Sequence, residues 1–286
     1  MLFHYDIAIL GGGPAGSAVA LSLRKQAPEL SIIIIESSAY DRQRIGETLP
    51  PTVQPLLKQL GVWETFLAEA HLPAYGTCAA WGSEQLENNE FLYSQHGRGW
   101  HLDRKRFDAM LAREAERRGV ALLTSSTLKH SDKLGDEWLL TVRSVSSPTV
   151  REGFGFTVKA LADARATDTN KELSISAKFV VDATGKTAAF ATRHGARKQL
   201  FDQLLGAFVF FNCDAADTFT MVEACEDGWW YSALLPEAGM VAAWMSDADV
   251  IKQRSVKDPA CWFEQLQKTT HTKRRLLPAE PLDVPT

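Results

Sequence analysis

Six residues, Gly11-Gly12-Gly13-Pro14-Ala15-Gly16, separate a short apolar run from a helical pattern, and no other feature limits the fold as strongly. Ile7-Ala8-Ile9-Leu10 reads as a buried strand. Ala18, Val19, Ser22 and Leu23 then recur at helical spacing until Pro28 forbids continuation. Ile32-Ile33-Ile34-Ile35 follows, a β-branched run suited to burial on both faces, closed by Glu36. Residues 6–36 are thus a strand–turn–helix–strand unit, the context that a dinucleotide fingerprint requires. Gly11 allows the tight turn, Gly13 lets a pyrophosphate approach the backbone, and Gly16 lets helix and strand pack closely. Pro14 and Ala15 open a helix whose N-terminus offers N–H groups and a positive dipole end to phosphates. Glu36 stands where a carboxylate accepts from an adenosine ribose hydroxyl and would repel a 2′-phosphate, which disfavours NADP and leaves FAD or NAD.

The length of 286 residues allows one large or two interleaved domains. A net charge of −4 gives no electrostatic footprint for nucleic acid, and Lys273-Arg274-Arg275 reads as a solvated helix end. No apolar run approaches the length of a membrane span or a signal segment. Cys78, Cys213, Cys225 and Cys261 are scattered without a Cys-x-x-Cys pair, as expected of buried, reduced thiols in a cytoplasmic protein.

Along the chain, Arg44 and Gly46 occupy a polar loop ahead of Pro50-Pro51, well placed to strap an extended cofactor or to form a rigid surface connection. A helix carrying Val53, Leu56, Leu57 and Leu60 stops at Gly61. In residues 72–100, glycines alternate with Tyr75, Trp81, Phe91, Tyr93 and Trp100, a pattern of short antiparallel strands bearing aromatics. Asp103 caps a helix with Phe107, Met110, Leu111 and Ala115 on its apolar face, and residues 120–124 form a short strand. Residues 131–178 read as a hairpin or three-stranded meander with strands at 138–142 and 154–158 and a turn at 163–172. Phe179-Val180-Val181 returns to the parallel sheet and delivers Asp182-Ala183-Thr184-Gly185. Strands follow at 207–211, 219–223, 229–235 and 240–244, then a helix at 259–267.

The glycine fingerprint, Arg44-Ile45-Gly46-Glu47-Thr48-Leu49-Pro50-Pro51, Leu102-Asp103-Arg104-Lys105-Arg106-Phe107-Asp108 and Asp182-Ala183-Thr184-Gly185 occur here in one order. In this the sequence resembles FAD-dependent oxidoreductases of the p-hydroxybenzoate hydroxylase fold, in the branch of flavin-dependent halogenases and geranylgeranyl reductases. Ala80-Trp81-Gly82-Ser83 with Gly99-Trp100-His101-Leu102-Asp103-Arg104 is most similar to the maturation flavoproteins of quinone-cofactor amino-acid oxidases. The resemblance implies an α/β fold: a Rossmann-like FAD-binding domain with a parallel sheet and a β-meander (1–71 and 101–200), interleaved with a smaller antiparallel-sheet substrate domain (72–100 and 201–286). It implies that Gly11, Gly13, Pro14, Ala15, Gly16, Glu36, Arg44, Gly46, Arg104, Asp182 and Gly185 hold FAD. It also implies that Trp81, Trp229 and Tyr231, with Trp100, shape a substrate cavity; core packing of a sheet accounts for such aromatics equally well.

The implied activity is oxidation or monooxygenation of an aromatic, tryptophan-like substrate. That substrate is a residue of a partner oxidase during quinone-cofactor maturation or, alternatively, a small aromatic or isoprenoid metabolite. Halogenases of this branch carry a lysine after the Gly-Glu strap, and this chain has none between Lys58 and Lys105. They also carry Trp-x-Trp-x-Ile-Pro where this chain reads Trp229-Trp230-Tyr231-Ser232-Ala233-Leu234, so halogenation is disfavoured. Nothing after Ala183 matches the superfamily's Gly-Asp motif, as expected of a truncated protein or a piece of a longer one. Lys186-Thr187 lacks the glycine of a phosphate loop, and neither metal-ligand spacing nor a Gly-x-Ser-x-Gly elbow occurs. A single dinucleotide fingerprint still admits NADH or NADPH as a transient reductant. No catalytic residue is fixed; Glu47 or His101 could serve as base, although a salt bridge and a surface histidine are their plainer readings.

Overall fold

A computed structural model describes residues 2–144, 171–213, 217–237, 239–276 and 279–286. The chain divides into two compact units, Met1–Gln43 with Gln59–Glu69 and Lys105–Lys198, and Arg44–Lys58 with Ala70–Arg104 and Gln199–Thr286.

The first unit is built on a six-stranded sheet ordered Ala121–Leu123, Ile32–Ile35, Leu2–Leu10, Lys171–Asp182, Glu137–Ser144, Ser126–Leu134. The first four strands run parallel, and the last two add antiparallel as the meander. The isoleucine run is buried along its whole length, as a strand covered on both faces demands. The Pro14–Gln26 helix buries Gly16, Ser17, Ala20 and Leu21. The Arg104–Arg117 helix buries Phe107, Met110, Leu111 and Ala115. A helix not expected from the sequence, Trp63–Ala68, follows Gly61 and sets Phe66 edge-on against Phe107 with ring centroids 5.9 Å apart. The strand expected at 154–158 and most of the turn at 163–172 lie outside the described residues; Lys171 and Glu172 already belong to a strand.

The second unit carries a seven-stranded sheet ordered Glu280–Pro281, Leu204–Asn212, Gly239–Asp247, Gly228–Leu235, Thr220–Cys225, Gly76–Ala80, Glu87–Glu90. It is not purely antiparallel, because Gly76–Ala80 pairs parallel with Thr220–Cys225. Its core stacks Trp230 on Trp244 and sets both among Val209, Phe211 and Trp262, whose indole N–H donates to the Ala207 carbonyl at 3.0 Å. A three-stranded antiparallel sheet joins Thr48–Leu49, Gly99–His101 and Leu72–Ala74. This pairing explains why residues 44–58 cluster here and not with the glycine turn, as the sequence boundaries had them.

Two sequence expectations change. Of the aromatics in 72–100 only Trp100 lies within a strand; Tyr75 and Trp81 fall between strands, and Phe91 and Tyr93 form a 3-10 turn. The Lys273-Arg274-Arg275 triplet is not wholly solvated. The Arg275 side chain is 7% exposed, and its guanidinium donates to the carbonyls of Asp217, Phe219 and Ser232 and to the Ser232 hydroxyl. Arg275 lies in the His271–Leu276 helix, which Glu223 anchors by accepting from the N–H groups of Thr270, His271 and Thr272. Burial alone would raise the Glu223 carboxyl, but these bonds outweigh it and hold it below the usual range. Among the described residues no helix is long and apolar enough to cross a membrane.

Candidate active site

In the first unit the glycine turn is fixed by backbone sterics. Gly11 has φ +103°, and a Cβ there would fall on the Ala183 carbonyl oxygen. A Cβ on Gly16 would fall on the Gly11 carbonyl oxygen. Gly13 is different: nothing lies within 4 Å of where its Cβ would be. Gly13 is also the N-cap of the Pro14–Gln26 helix, which has no side-chain cap and no acid in its first turn. A pyrophosphate therefore meets an open backbone, uncapped helical N–H groups and no repelling carboxylate.

Glu36 braces this turn. Its Oε2 accepts from the Gly12 N–H at 2.7 Å, and its Oε1 accepts from the N–H and hydroxyl of Ser38 at 2.8 and 2.6 Å. The Tyr40 hydroxyl donates to the Gly12 carbonyl at 2.8 Å from the other side. The Asp182 carboxylate accepts from Thr184 and from the N–H groups of Phe190 and Ala191, which caps the Ala189–Arg193 helix. Burial would raise the Asp182 carboxyl, but these bonds prevail and lower it. Gly185 is exposed with φ +66°. The phosphate end of the cradle thus fits FAD, while Glu36 and Asp182 accept from nearby backbone N–H groups and from the hydroxyls of Ser38 and Thr184.

In the second unit, Gly46 takes φ +93°, and Arg104 donates from Nη1 to the carbonyls of Ile45 and Gly46 at 2.6 and 3.2 Å. Arg44 is half-buried on the same strap. The next residue, Glu47, is 2% exposed. Its backbone carbonyl accepts from the Leu102 N–H, and register then sets Thr48 opposite His101. Burial, the dominant influence, raises the Glu47 carboxyl to about 7 despite the Gly46 N–H and the nearby Arg104 charge. His101 is fully buried and lowered to about 4, first by burial and then by the charge of Arg275. It is not a surface histidine.

Hydroxyls run from one of these groups to the other. Glu47 Oε2 lies 3.5 Å from the Tyr231 hydroxyl, which lies 3.0 Å from Thr48 Oγ1. Thr48 Oγ1 lies 2.9 Å from Thr220 Oγ1, and Thr220 Oγ1 lies 2.9 Å from His101 Nε2. Tyr231, expected in a substrate pocket, therefore directs its hydroxyl into this chain, and burial raises its phenol well above the usual value. Trp81 is 62% exposed, with the Trp229 ring 6.5 Å away, whereas Trp100 is buried. Thr220 is not singled out by the sequence, and Arg275 only as part of a solvated helix end; nothing in their local spacing marks a buried hydroxyl or guanidinium.

The family model for tryptophan halogenases matches residues 6–84. Over 269 residues the chain is 25% identical to the "Putative FAD-dependent oxidoreductase LodB" of Marinomonas mediterranea, covering 93% of this chain and 66% of that protein. The chain is similar to the halogenase-like FAD-dependent oxidoreductases. FAD is the cofactor of this family. The fold matches the myxobacterial chondrochloren halogenase CndH with a TM-score of 0.80 at 20% identity, over 98% of this chain and 61% of that one. It also matches the peptidyl tryptophan dihydroxylase QhpG, essential for tryptophylquinone cofactor biogenesis, with a TM-score of 0.69 at 19% identity, over 97% of this chain and 55% of that one. The chain thus spans less than two thirds of the length of these relatives.

Proposed function

We propose that this protein is an FAD-dependent monooxygenase-type oxidoreductase acting on a tryptophan-like side chain of a partner oxidase during quinone-cofactor maturation. The observation that carries the reading is the likeness to LodB along 93% of the chain. The fold shared with QhpG points the same way. Trp81 and Tyr75, together with Leu92 and Tyr93 at 81% and 88% exposure, favour a large apolar partner over a small metabolite. The cavity of about 330 Å³ in the second unit does not supply a closed apolar pocket, since Glu223, Arg254, Lys268 and His271 line it.

When bound, FAD would supply the exchange of electrons with the substrate and with oxygen. Gly11, Gly13, Pro14, Ala15 and Gly16 would hold its pyrophosphate, Glu36 would order the turn around its ribose, and Asp182 with Gly185 would fix the neighbouring backbone. Arg44, Gly46 and Arg104 would form the strap. Trp81 and Trp229 would receive the aromatic side chain, and Tyr231 would hold a proton path.

Halogenation is the second reading. The tryptophan-halogenase match over residues 6–84 favours it, while the absence of lysine between Lys58 and Lys105 weighs against it. Incubation of the FAD-loaded protein with reductant, oxygen, halide and a tryptophan-bearing partner oxidase, followed by peptide mass spectrometry, separates the two. A gain of oxygen on the tryptophan supports the proposal, and a gain of halogen installs the second reading. Modification of free aromatic metabolites alone overturns the partner assignment.

A further inference from the structure

Glu47 and His101 are both buried, yet neither has an ionic partner within hydrogen-bond reach; each meets a hydroxyl, and Glu47 Oε2 also accepts from the Gly46 N–H at 2.9 Å. Between them stand Tyr231, Thr48 and Thr220, each carrying a single hydrogen. Thr48 Oγ1 lies within bonding distance of two oxygens and can donate to only one of them. A buried hydroxyl left without an acceptor is costly, so the hydrogens order in one direction or the other along the chain.

The two orderings require different end groups. If Glu47 is ionised, Tyr231 donates to its Oε2, Thr48 donates to Tyr231, Thr220 donates to Thr48, and His101 must donate from Nε2. If Glu47 is protonated and donates to Tyr231, every hydroxyl turns round, Thr220 donates to His101, and the imidazole must carry its hydrogen on Nδ1. The second state holds one proton more than the first, on the Glu47 carboxyl. No electrons move, and no other group changes charge.

We propose that Glu47 is the proton-exchanging group of this site and that Tyr231, Thr48 and Thr220 couple its protonation to the tautomer of His101. Glu47 Oε1 is buried and accepts no hydrogen bond from any described residue. A proton leaving an aromatic N–H or O–H, its electron pair staying on the ligand, would turn the chain once it rests on Oε2, the oxygen that faces Tyr231. Tyr231, Thr48, Thr220 and His101 are positioning residues, acting through Glu47. The groups facing the ends are few: the Gly46 N–H, Arg104 and Tyr231 at Glu47, and Arg275, Asp217 and the Leu234 backbone at His101. The use of this coupling in turnover rests on the aromatic-oxidation reading above, whereas the coupling itself belongs to the folded chain with or without substrate.

The test is the nitrogen-15 spectrum of His101 in the intact protein, followed from about pH 5 to about pH 9, with the infrared carbonyl band of protonated Glu47 recorded in parallel. The neutral imidazole is expected to change tautomer with the same midpoint as the Glu47 band, near 7. Glu47→Gln should remove that midpoint. Thr220→Val and Thr48→Val should each abolish the tautomer change while the Glu47 band still titrates. A tautomer that stays constant while Glu47 titrates overturns the proposal, as does a change that survives both valine variants. In turnover, Thr220→Val should move the pH midpoint and Glu47→Gln should slow the reaction by about tenfold or more. An intact coupling with no turnover on any aromatic rejects the functional reading and leaves the coupling standing.

Discussion

Gly16 lies against Gly11 with no space for a side chain, because a Cβ on Gly16 would overlap the Gly11 carbonyl oxygen. Gly16→Ala should therefore cost about 1–3 kcal/mol of stability by overpacking, read from urea unfolding. Gly13→Ala should melt with the parent, since nothing stands within 4 Å of that Cβ. The new methyl would occupy the phosphate approach, so FAD affinity should fall about tenfold, a loss of about 1.4 kcal/mol by flavin fluorescence. Equal melting of the two variants would contradict this division.

The pH dependence of stability should carry opposite contributions from Glu47 and His101. Glu47 titrates at about 7 when folded, against about 4.3 in an unfolded chain. Between these values the folded form binds more protons, so stability falls as pH rises, and the penalty is complete above about pH 7. His101 is lowered to about 4, against about 6.5 unfolded; its contribution is lost as pH falls through that window. The two slopes cancel where the windows overlap. Glu47→Gln should then exceed the parent by about 3 kcal/mol at about pH 8 and match it near about pH 4, measured by chemical denaturation.

Arg275 holds three carbonyls and a hydroxyl, and its burial lowers its pKa despite nearby Asp217. Arg275→Met should cost about 3 kcal/mol, because it leaves those oxygens without donors. Arg275→Lys should recover little of it, since an ammonium lacks the planar fork that spans Ser232 and Phe219. Thermal melts of the two variants decide the point.

Trp81→Ala should leave unfolding within about 0.5 kcal/mol of the parent, as the side chain is mostly exposed. If Trp81 receives the partner, the same change should weaken capture of the tryptophan-bearing oxidase by about tenfold in a binding titration. Unaltered capture would remove Trp81 from the docking surface.

The glycine turn was legible because its constraints are local and steric: Gly11 needs a positive φ, and Gly16 needs its missing Cβ. The isoleucine strand was legible because four β-branched residues in a row suit burial on both faces. The hydroxyl chain was not legible. Thr48, Thr220 and Tyr231 come from separate segments, and only strand register brings them between Glu47 and His101. Arg275 was misjudged because an arginine with a buried guanidinium looks the same in a sequence as one in water. The helix Trp63–Ala68 escaped because it is too short to show a full apolar period after Gly61.

The parallel pairing of Gly76–Ala80 with Thr220–Cys225 also governs how this chain can be made. On the ribosome, residues 76–80 emerge long before the strand that flanks them, and a contact so distant in sequence slows folding. Until residue 225 has been synthesised, the second sheet lacks the neighbour for one edge of that strand, with Tyr75 and Trp81 at its two ends. A nascent chain stopped before that point should bind chaperones through this stretch, and one carried past it should release them.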